Sequence, residues 1–171
     1  LRPLDLILPS RPRGGFPGTS DRTVFFSRGC GAIRTLLASL ALAPGETILV
    51  PTFLCGEVVD TFRAAHAPMA LYPVDDRAQF DLATLASRIT PRTRAIYVVH
   101  YFGFPQDVRR VRALADERGV LLIEDCAHAL FGRSEHQWLG EFGHAAIFSL
   151  RKTLPLPDGG ALVVRDPVPA P

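Results

Sequence analysis

Lysine is nearly absent from this chain. Of its 19 basic residues, 18 are arginine and only Lys152 is lysine. The arginine guanidinium stays protonated in proteins and cannot act as an amine nucleophile, whereas the lysine amine can. The bias toward arginine can come from the base composition of the gene, so Lys152 becomes a candidate nucleophile only if its surroundings support chemistry.

Paired cysteines and long apolar runs are lacking as well. The three cysteines (Cys30, Cys55 and Cys126) are odd in number and have no close pair spacing, which argues against a disulfide framework and a zinc site. No apolar run reaches the roughly 20 residues of a membrane-spanning helix, and the first residues lack the pattern of a signal peptide. These features predict reduced thiols, no membrane association and a cytoplasmic protein.

Neither sign of charge is in large excess. The net charge of +2 is too small to indicate nucleic acid binding, and the basic cluster of Arg109, Arg110 and Arg112 falls on the predicted exposed face of a helix. Four of the histidines have no metal-ligand spacing on one helix, so no metal site is predicted: His66, His100, His136 and His144. We therefore expect neither nucleic acid nor a metal ion as a ligand.

The order of patterns along the 171 residues predicts one α/β domain. Residues 1–23 are rich in proline and glycine and predict an irregular arm, and residues 166–171 predict a proline-rich tail. Between them, residues 24–165 alternate short apolar segments with helical patterns. This alternation predicts three layers, with a mostly parallel sheet and helices on both of its faces.

Periodicity and capping signals give the predicted elements. The helices are predicted at Gly31–Leu42, Glu57–His66, Leu82–Ile89 and Asp107–Arg118. The strands are predicted at Thr47–Pro51, Met69–Val74, Ala95–His100, Val120–Glu124, Ala145–Leu150 and Ala161–Val164. Because parallel sheets bind ligands at the carboxyl ends of their strands, a site is expected at residues 53–56, 100–103, 125–128 and 149–152.

Three segments could carry chemistry. Small residues at 27–32 precede a helix and leave backbone N–H groups open to a phosphate, although the glycines could equally serve a tight helix entry. Asp125 ends a buried apolar strand, where a carboxylate needs a positive or hydrogen-bonding partner, but a lone aspartate is more often a helix cap or a surface ion pair. Ser149 could bind phosphate, and Lys152, among Phe148, Leu150 and Leu154, could bind an aldehyde or be an ordinary surface lysine.

Together these segments resemble the sugar aminotransferase (DegT/StrS-type) family of fold-type I pyridoxal-phosphate enzymes, over about residues 27–165. The similar motifs are Gly-Cys-Gly-Ala-Ile at 29–33, Pro-Gly-Glu-Thr-Ile-Leu-Val-Pro at 44–51, Ile-Thr-Pro-Arg-Thr-Arg-Ala-Ile at 89–96, and His-Tyr-Phe-Gly at 100–103. The most specific are Ile-Glu-Asp-Cys-Ala-His at 123–128 and Ser-Leu-Arg-Lys at 149–152, followed by Asp-Gly-Gly.

The resemblance implies a large domain that binds pyridoxal 5'-phosphate. It implies that Lys152 is the Schiff-base lysine, that Asp125 is the partner of the ring nitrogen and that His128 is the neighbour of the ring hydroxyl. The phosphate ligands it implies are Gly29, Cys30 and Ser149, and Gly31 is a further cofactor-binding residue. The expected function is transfer of an amino group, from a donor such as glutamate, to a nucleotide-linked keto sugar by a homodimer. The alternatives are another reaction of the same cofactor on a sugar or amino acid, or a non-catalytic fragment that keeps only the fold.

Three departures from the family pattern are visible. Cys55 stands where the family usually has an aromatic residue against the cofactor ring, so the candidates for stacking there are Phe53 and His128. The interval from Ser149 to Lys152 is shorter than in many members. Members are also about twice as long, so the chain is expected to be a fragment without the smaller carboxyl-terminal domain.

Overall fold

A computed structural model describes residues 22–165. The four α-helices are α1 (Gly29–Ser39), α2 (Gly56–Ala64), α3 (Leu82–Arg88) and α4 (Val108–Arg118). The nine strands are β1 (Thr23–Phe26), β2 (Thr47–Pro51), β3 (Met69–Tyr72), β4 (Thr93–Val99), β5 (Leu121–Asp125), β6 (Arg133–Ser134), β7 (Gln137–Trp138), β8 (Ala145–Phe148) and β9 (Gly160–Val164). Two 3₁₀ turns, Tyr101–Gly103 and Leu150–Lys152, follow β4 and β8.

Seven strands form one sheet in the order β1-β9-β8-β5-β4-β2-β3. The neighbours from β8 to β3 are parallel, whereas β9 runs antiparallel to both β8 and β1. The carboxyl ends of β2, β4, β5 and β8 therefore meet at one edge of the sheet. Strands β6 and β7 form a separate hairpin.

Two apolar clusters cover the two faces of the sheet. One contains α1 and α2 side chains such as Leu36 and Phe62, packed on Tyr97 and Ile123. The other contains side chains of α3 and α4, such as Leu85, against the opposite face of the same strands. The prediction of a three-layer α/β domain with a mostly parallel sheet is confirmed.

Local sequence explains where the helices begin and end. The Asp81 and Asp107 carboxylates accept hydrogen bonds from the first turns of α3 and α4, and Gly119 ends α4 with φ of 63°. Helix α1 begins at Gly29, two residues before its predicted start, and ends at Ser39 instead of Leu42. The early start places residues 29 and 30 in the first turn of the helix.

Two short features were not predicted. Strand β1 begins at Thr23, the last residue of the predicted arm, because its backbone pairs with β9. The β6–β7 hairpin has only two residues in each strand, which is too short to give a periodic pattern. The rest of the predicted arm, residues 1–21, and the predicted tail, residues 166–171, lie outside the described residues. No helix among residues 22–165 is long and apolar enough to cross a membrane.

Candidate active site

A cavity of about 240 Å³ lies at the carboxyl ends of the parallel strands. Its wall combines the loop after β2, the turn after β4, the segment after β5 and the turn after β8 with the amino-terminal turn of α1. Of the predicted site residues, it includes Gly29, Cys30, Asp125, His128, Ser149 and Lys152. The edge of the sheet where the sequence predicts a site is thus where the cavity lies.

The amino-terminal turn of α1 forms one side of this cavity. Gly29 and Cys30 line it, and the preceding Arg28 makes no side-chain cap to the helix. The first N–H groups of a helix have no partner within the helix, and the helix dipole adds positive potential there. Buried Ser149 lies beside Gly29, whose position would place a Cβ 3.7 Å from the serine Cβ. This corner of the cavity can hold a phosphate group.

Gly31, which is also a predicted cofactor-binding residue, does not line the cavity. Its N–H donates to the Arg28 carbonyl at 3.0 Å, and its Cα faces the ring of Phe26. The absence of a side chain at Gly31 therefore serves packing between α1 and β1. The corner of the cavity that can hold a phosphate, the anion corner, therefore consists of Gly29, Cys30 and Ser149.

Asp125 is a buried carboxylate at the end of β5, with 5% of its surface exposed. One oxygen accepts the Tyr97 hydroxyl at 2.7 Å, and the other accepts the Ala127 N–H at 2.9 Å. Within residues 22–165, no basic side chain forms an ion pair with this carboxylate. A buried charge without an opposite charge is costly, so Asp125 is suited to a cationic group of a ligand.

Tyr97 is a site residue that the sequence did not single out. It points to the same face of the sheet as Asp125, and burial together with the nearby carboxylate raises its pKa well above the usual range. The hydroxyl is therefore a fixed hydrogen-bond donor. The available signal was a tyrosine within an otherwise apolar strand, since a buried tyrosine hydroxyl usually needs a partner.

His128 and Lys152 meet at the mouth of the cavity. The His128 Nε2 atom lies 3.1 Å from the Lys152 Nζ atom. Desolvation, and after it the positive charge of Lys152, lowers the pKa of His128, while Asp125 opposes the shift. The imidazole is therefore held in its neutral form. Lys152 itself is exposed, whereas the sequence predicted an apolar setting for it. Of the predicted apolar neighbours, Phe148 is buried in the core.

Aromatic side chains complete the wall. Phe53 stacks on Tyr101 with ring centroids 5.3 Å apart, and Phe102 stacks on His128 at 5.8 Å. Cys55 lines the same cavity at the start of α2. Phe53 and His128, the two residues expected to replace an aromatic residue at position 55, are thus both present at the cavity.

Glu124 is a buried carboxylate that binds the loop before β8 and the side chain of His100. Its fully buried carboxylate accepts N–H groups of Gly140, Phe142 and Gly143, and it also bonds His100 at 3.0 Å. His100, Glu124 and Cys126 are close enough to surround a metal ion. Because both carboxylate oxygens already accept two bonds each, Glu124 instead fixes the loop beneath β5 and β8.

The comparisons with known proteins point to one family. The model of the DegT/DnrJ/EryC1/StrS aminotransferase family matches residues 17–170. A UDP-N-acetyl-3-dehydro-alpha-D-glucosamine 3-aminotransferase from Acidithiobacillus ferrooxidans is 35% identical over 81% of this chain and 38% of its own length. A dTDP-3-amino-3,4,6-trideoxy-alpha-D-glucose transaminase from Streptomyces venezuelae is 33% identical over 86% of this chain and 40% of its own length.

Solved structures lead to the same family. A sugar aminotransferase from Micromonospora echinospora is 31% identical, with a TM-score of 0.74 over 85% of this chain and 42% of the other. An aminotransferase from Streptoalloteichus hindustanus is 28% identical, with a TM-score of 0.78 over 85% of this chain and 41% of the other. The chain spans about two fifths of the length of these relatives. The resemblance seen in the sequence is confirmed: the chain belongs to the DegT/DnrJ/EryC1/StrS aminotransferase family.

Proposed function

We propose that this chain binds pyridoxal 5'-phosphate and contains the residues of an aminotransferase site that contact the cofactor. The observation that carries the proposal is the buried Asp125 carboxylate, which faces the cavity without a basic partner among residues 22–165. A protonated pyridine nitrogen, if held against Asp125, would supply the opposite charge that this carboxylate lacks. The uncapped turn of α1 with Ser149 fits the phosphate, and Lys152 fits the aldehyde.

When bound, the cofactor supplies an aldehyde that condenses with amines and a ring that accepts electrons from the substrate carbon. Lys152 would hold the aldehyde at its Nζ atom, and the same amine would serve as the acid and base that moves a proton. Asp125 keeps the ring nitrogen protonated, and the Tyr97 hydroxyl orients that carboxylate. Gly29, Cys30 and Ser149 hold the phosphate and so set the position of the ring.

The overall reaction that we propose is transfer of an amino group from an amino acid such as glutamate to the keto carbon of a nucleotide-linked sugar. The names of the two curated relatives, which specify a UDP-linked and a dTDP-linked sugar, support this acceptor class. We also propose that the protein works as a homodimer in the cytoplasm. Product analysis with candidate keto sugars separates this reaction from other chemistry of the same cofactor.

Borohydride reduction in the presence of pyridoxal phosphate tests the proposal directly. Because Lys152 is the single lysine, the only other primary amine is the amino terminus of the chain. Peptide mass analysis should find the cofactor mass on Lys152 and none in Lys152→Arg, which keeps the charge but has no usable nucleophile. A label confined to the amino terminus contradicts the proposal. An absorbance titration should show that Lys152→Arg retains some cofactor through the phosphate contacts.

A further inference from the structure

Helix α1 is preceded by an arginine at a position where arginine is unfavourable. The Arg28 side chain caps none of the first N–H groups of α1, and the first turn contains no acidic residue. Serine, threonine, aspartate and asparagine are preferred at this position because their oxygens accept these N–H groups, whereas a positive charge adds to the positive end of the helix dipole. The start of α1 therefore concentrates positive potential that no residue of its first turn neutralises.

The Ser149 side chain is independent evidence that a ligand group belongs beside Arg28. Ser149 is buried, with 5% of its surface exposed, and it lines the same cavity as Arg28 and Gly29. Its side chain makes no hydrogen bond to the turn that it precedes, and within residues 22–165 the hydroxyl has no hydrogen-bond partner. Because a buried hydroxyl without a partner is costly, a polar group of a ligand in the cavity is its expected partner.

The guanidinium group of Arg28 is held only weakly by the protein. Its Nη1 atom lies 3.9 Å from the Oε1 atom of Glu57 in the first turn of α2, and the two side chains are 64% and 60% exposed. This distance is longer than a hydrogen bond, and exposed ion pairs of this kind contribute little to stability. Glu57 also lines the cavity. A phosphate in the anion corner can therefore compete with Glu57 for Arg28.

We propose that Arg28 is a phosphate ligand, which Glu57 holds next to the anion corner until the phosphate binds. The guanidinium then exchanges a long ion pair for charge-assisted hydrogen bonds, in which two N–H groups can bind two phosphate oxygens. Glu57 sets the affinity for the phosphate, because binding must first break its pair with Arg28. This role rests on the proposed function, and it makes Arg28 the residue that distinguishes phosphorylated from unphosphorylated forms of the cofactor.

Fluorescence titrations of the full chain with pyridoxamine 5'-phosphate and with pyridoxamine test this role. Neither compound has an aldehyde, so binding involves no covalent bond to Lys152, and only the first compound carries a phosphate. The measured quantity is the ratio of the two dissociation constants. Arg28→Gln should lower the preference for the phosphorylated compound about tenfold, as expected for loss of a hydrogen bond between charged groups. Arg151→Gln removes another arginine of the same cavity and is the matched control, in which the ratio should stay close to that of the unchanged chain.

Glu57→Gln separates competition for Arg28 from direct repulsion between the Glu57 carboxylate and the phosphate. Because Arg28 is released, the preference for the phosphorylated compound should rise about threefold, in line with the small energy of an exposed ion pair. In the double variant with Arg28→Gln, the substitution at position 57 should have no further effect. A gain of the same size in the double variant, or equal losses in Arg28→Gln and Arg151→Gln, overturns the proposal.

Uridine diphosphate is a second source of phosphate groups, because the acceptor in the proposed function is a nucleotide-linked sugar. Its affinity, measured by calorimetric titration, should not depend on Arg28. A weaker affinity for uridine diphosphate in Arg28→Gln, with an unchanged ratio for the two pyridoxamine compounds, would assign Arg28 to the acceptor and overturn the proposal. If the unchanged chain does not prefer the phosphorylated compound, the phosphate site of the proposed function fails as well. If it does, and Arg28→Gln keeps the full preference, only the role of Arg28 is refuted.

Discussion

At the residue scale, Asp125 is the position where charge matters most. Asp125→Asn keeps the shape of the side chain, and its amide can still accept the Tyr97 hydroxyl bond. The variant cannot hold a ring nitrogen protonated, so we expect turnover to fall by on the order of 100-fold or more. We expect a smaller loss of cofactor affinity, because the phosphate contacts remain.

Steady-state rates and a fluorescence titration of cofactor separate these two effects. A denaturant unfolding curve checks that Asp125→Asn still folds. Turnover close to that of the unchanged protein would mean that Asp125 is structural.

A second residue-scale prediction concerns pH and His128. Its pKa is lowered in the folded chain, so the unfolded chain takes up a proton first as the pH falls below about 6.5. The unfolded state then binds more protons than the folded state, and stability decreases until the pH passes the folded pKa. The contribution of the neutral His128 ring to the free energy of unfolding is therefore fully present at pH values above the ordinary pKa of histidine.

Denaturant unfolding of the unchanged chain and of His128→Gln, followed from neutral to acidic pH, isolates this contribution. As the pH falls, the unfolding free energy of the unchanged chain should decrease relative to that of His128→Gln. A difference that stays constant with pH would contradict the lowered pKa of His128. Titration of the other groups cancels in the comparison.

Residue-level prediction from sequence singled out positions where a residue type was rare or costly in its place, and the structure brings them to the cavity. Lys152 was conspicuous as the only lysine, and Asp125 as a carboxylate after a buried strand. Tyr97 was missed because its role depends on information that one sequence position does not contain. Tyr97 reaches Asp125 through the register of β4 on β5.

At the element scale, the close approach of β9 to the start of α1 shapes the anion corner. A Cβ added at Gly160, the first residue of β9, would overlap the peptide unit that joins Arg28 and Gly29. Since that obstacle is backbone, Gly160→Ala must push α1 away from the sheet. We expect a loss of about 1–3 kcal/mol in unfolding free energy and weaker binding of pyridoxal phosphate.

Gly56→Ala provides the matched control for this substitution. Gly56 is the first residue of α2, and a Cβ there would meet nothing within 4 Å. Gly56→Ala should therefore leave stability unchanged or raise it by about 0.4–1 kcal/mol. Urea unfolding curves of both variants give the comparison. Equal stability of the unchanged protein and Gly160→Ala would show that the start of β9 can move freely.

Element prediction from sequence worked for helices and buried strands, because their periodic patterns are local. The start of α1 was placed two residues late, since Gly29 and Cys30 are poor helix formers and enter the helix through packing on β8 and β9. Strand β1 was not predicted because its pairing with β9 spans more than 130 residues of sequence. Such long-range pairing leaves no signal in a local window.

At the scale of the whole molecule, the sheet formed by residues 22–165 has two edges, β1 and β3. Exposed apolar side chains occur on both: Val24 and Phe25 on β1, and Leu71 on β3. An edge strand with exposed apolar side chains is a template for pairing with another chain. Because β1 offers two adjacent exposed side chains, we expect the chain to self-associate through β1, in keeping with the proposed homodimer.

Light scattering coupled to size exclusion tests this expectation. The unchanged chain should show a mass near twice the 18.7 kDa of one chain, rising with concentration. Phe25→Lys should return the mass toward that of a monomer, because a charge at the edge opposes strand pairing. Leu71→Lys makes the same substitution at an exposed position of the opposite edge and should leave the mass unchanged. A monomer at all concentrations, or an equal response to both substitutions, would argue against association through β1.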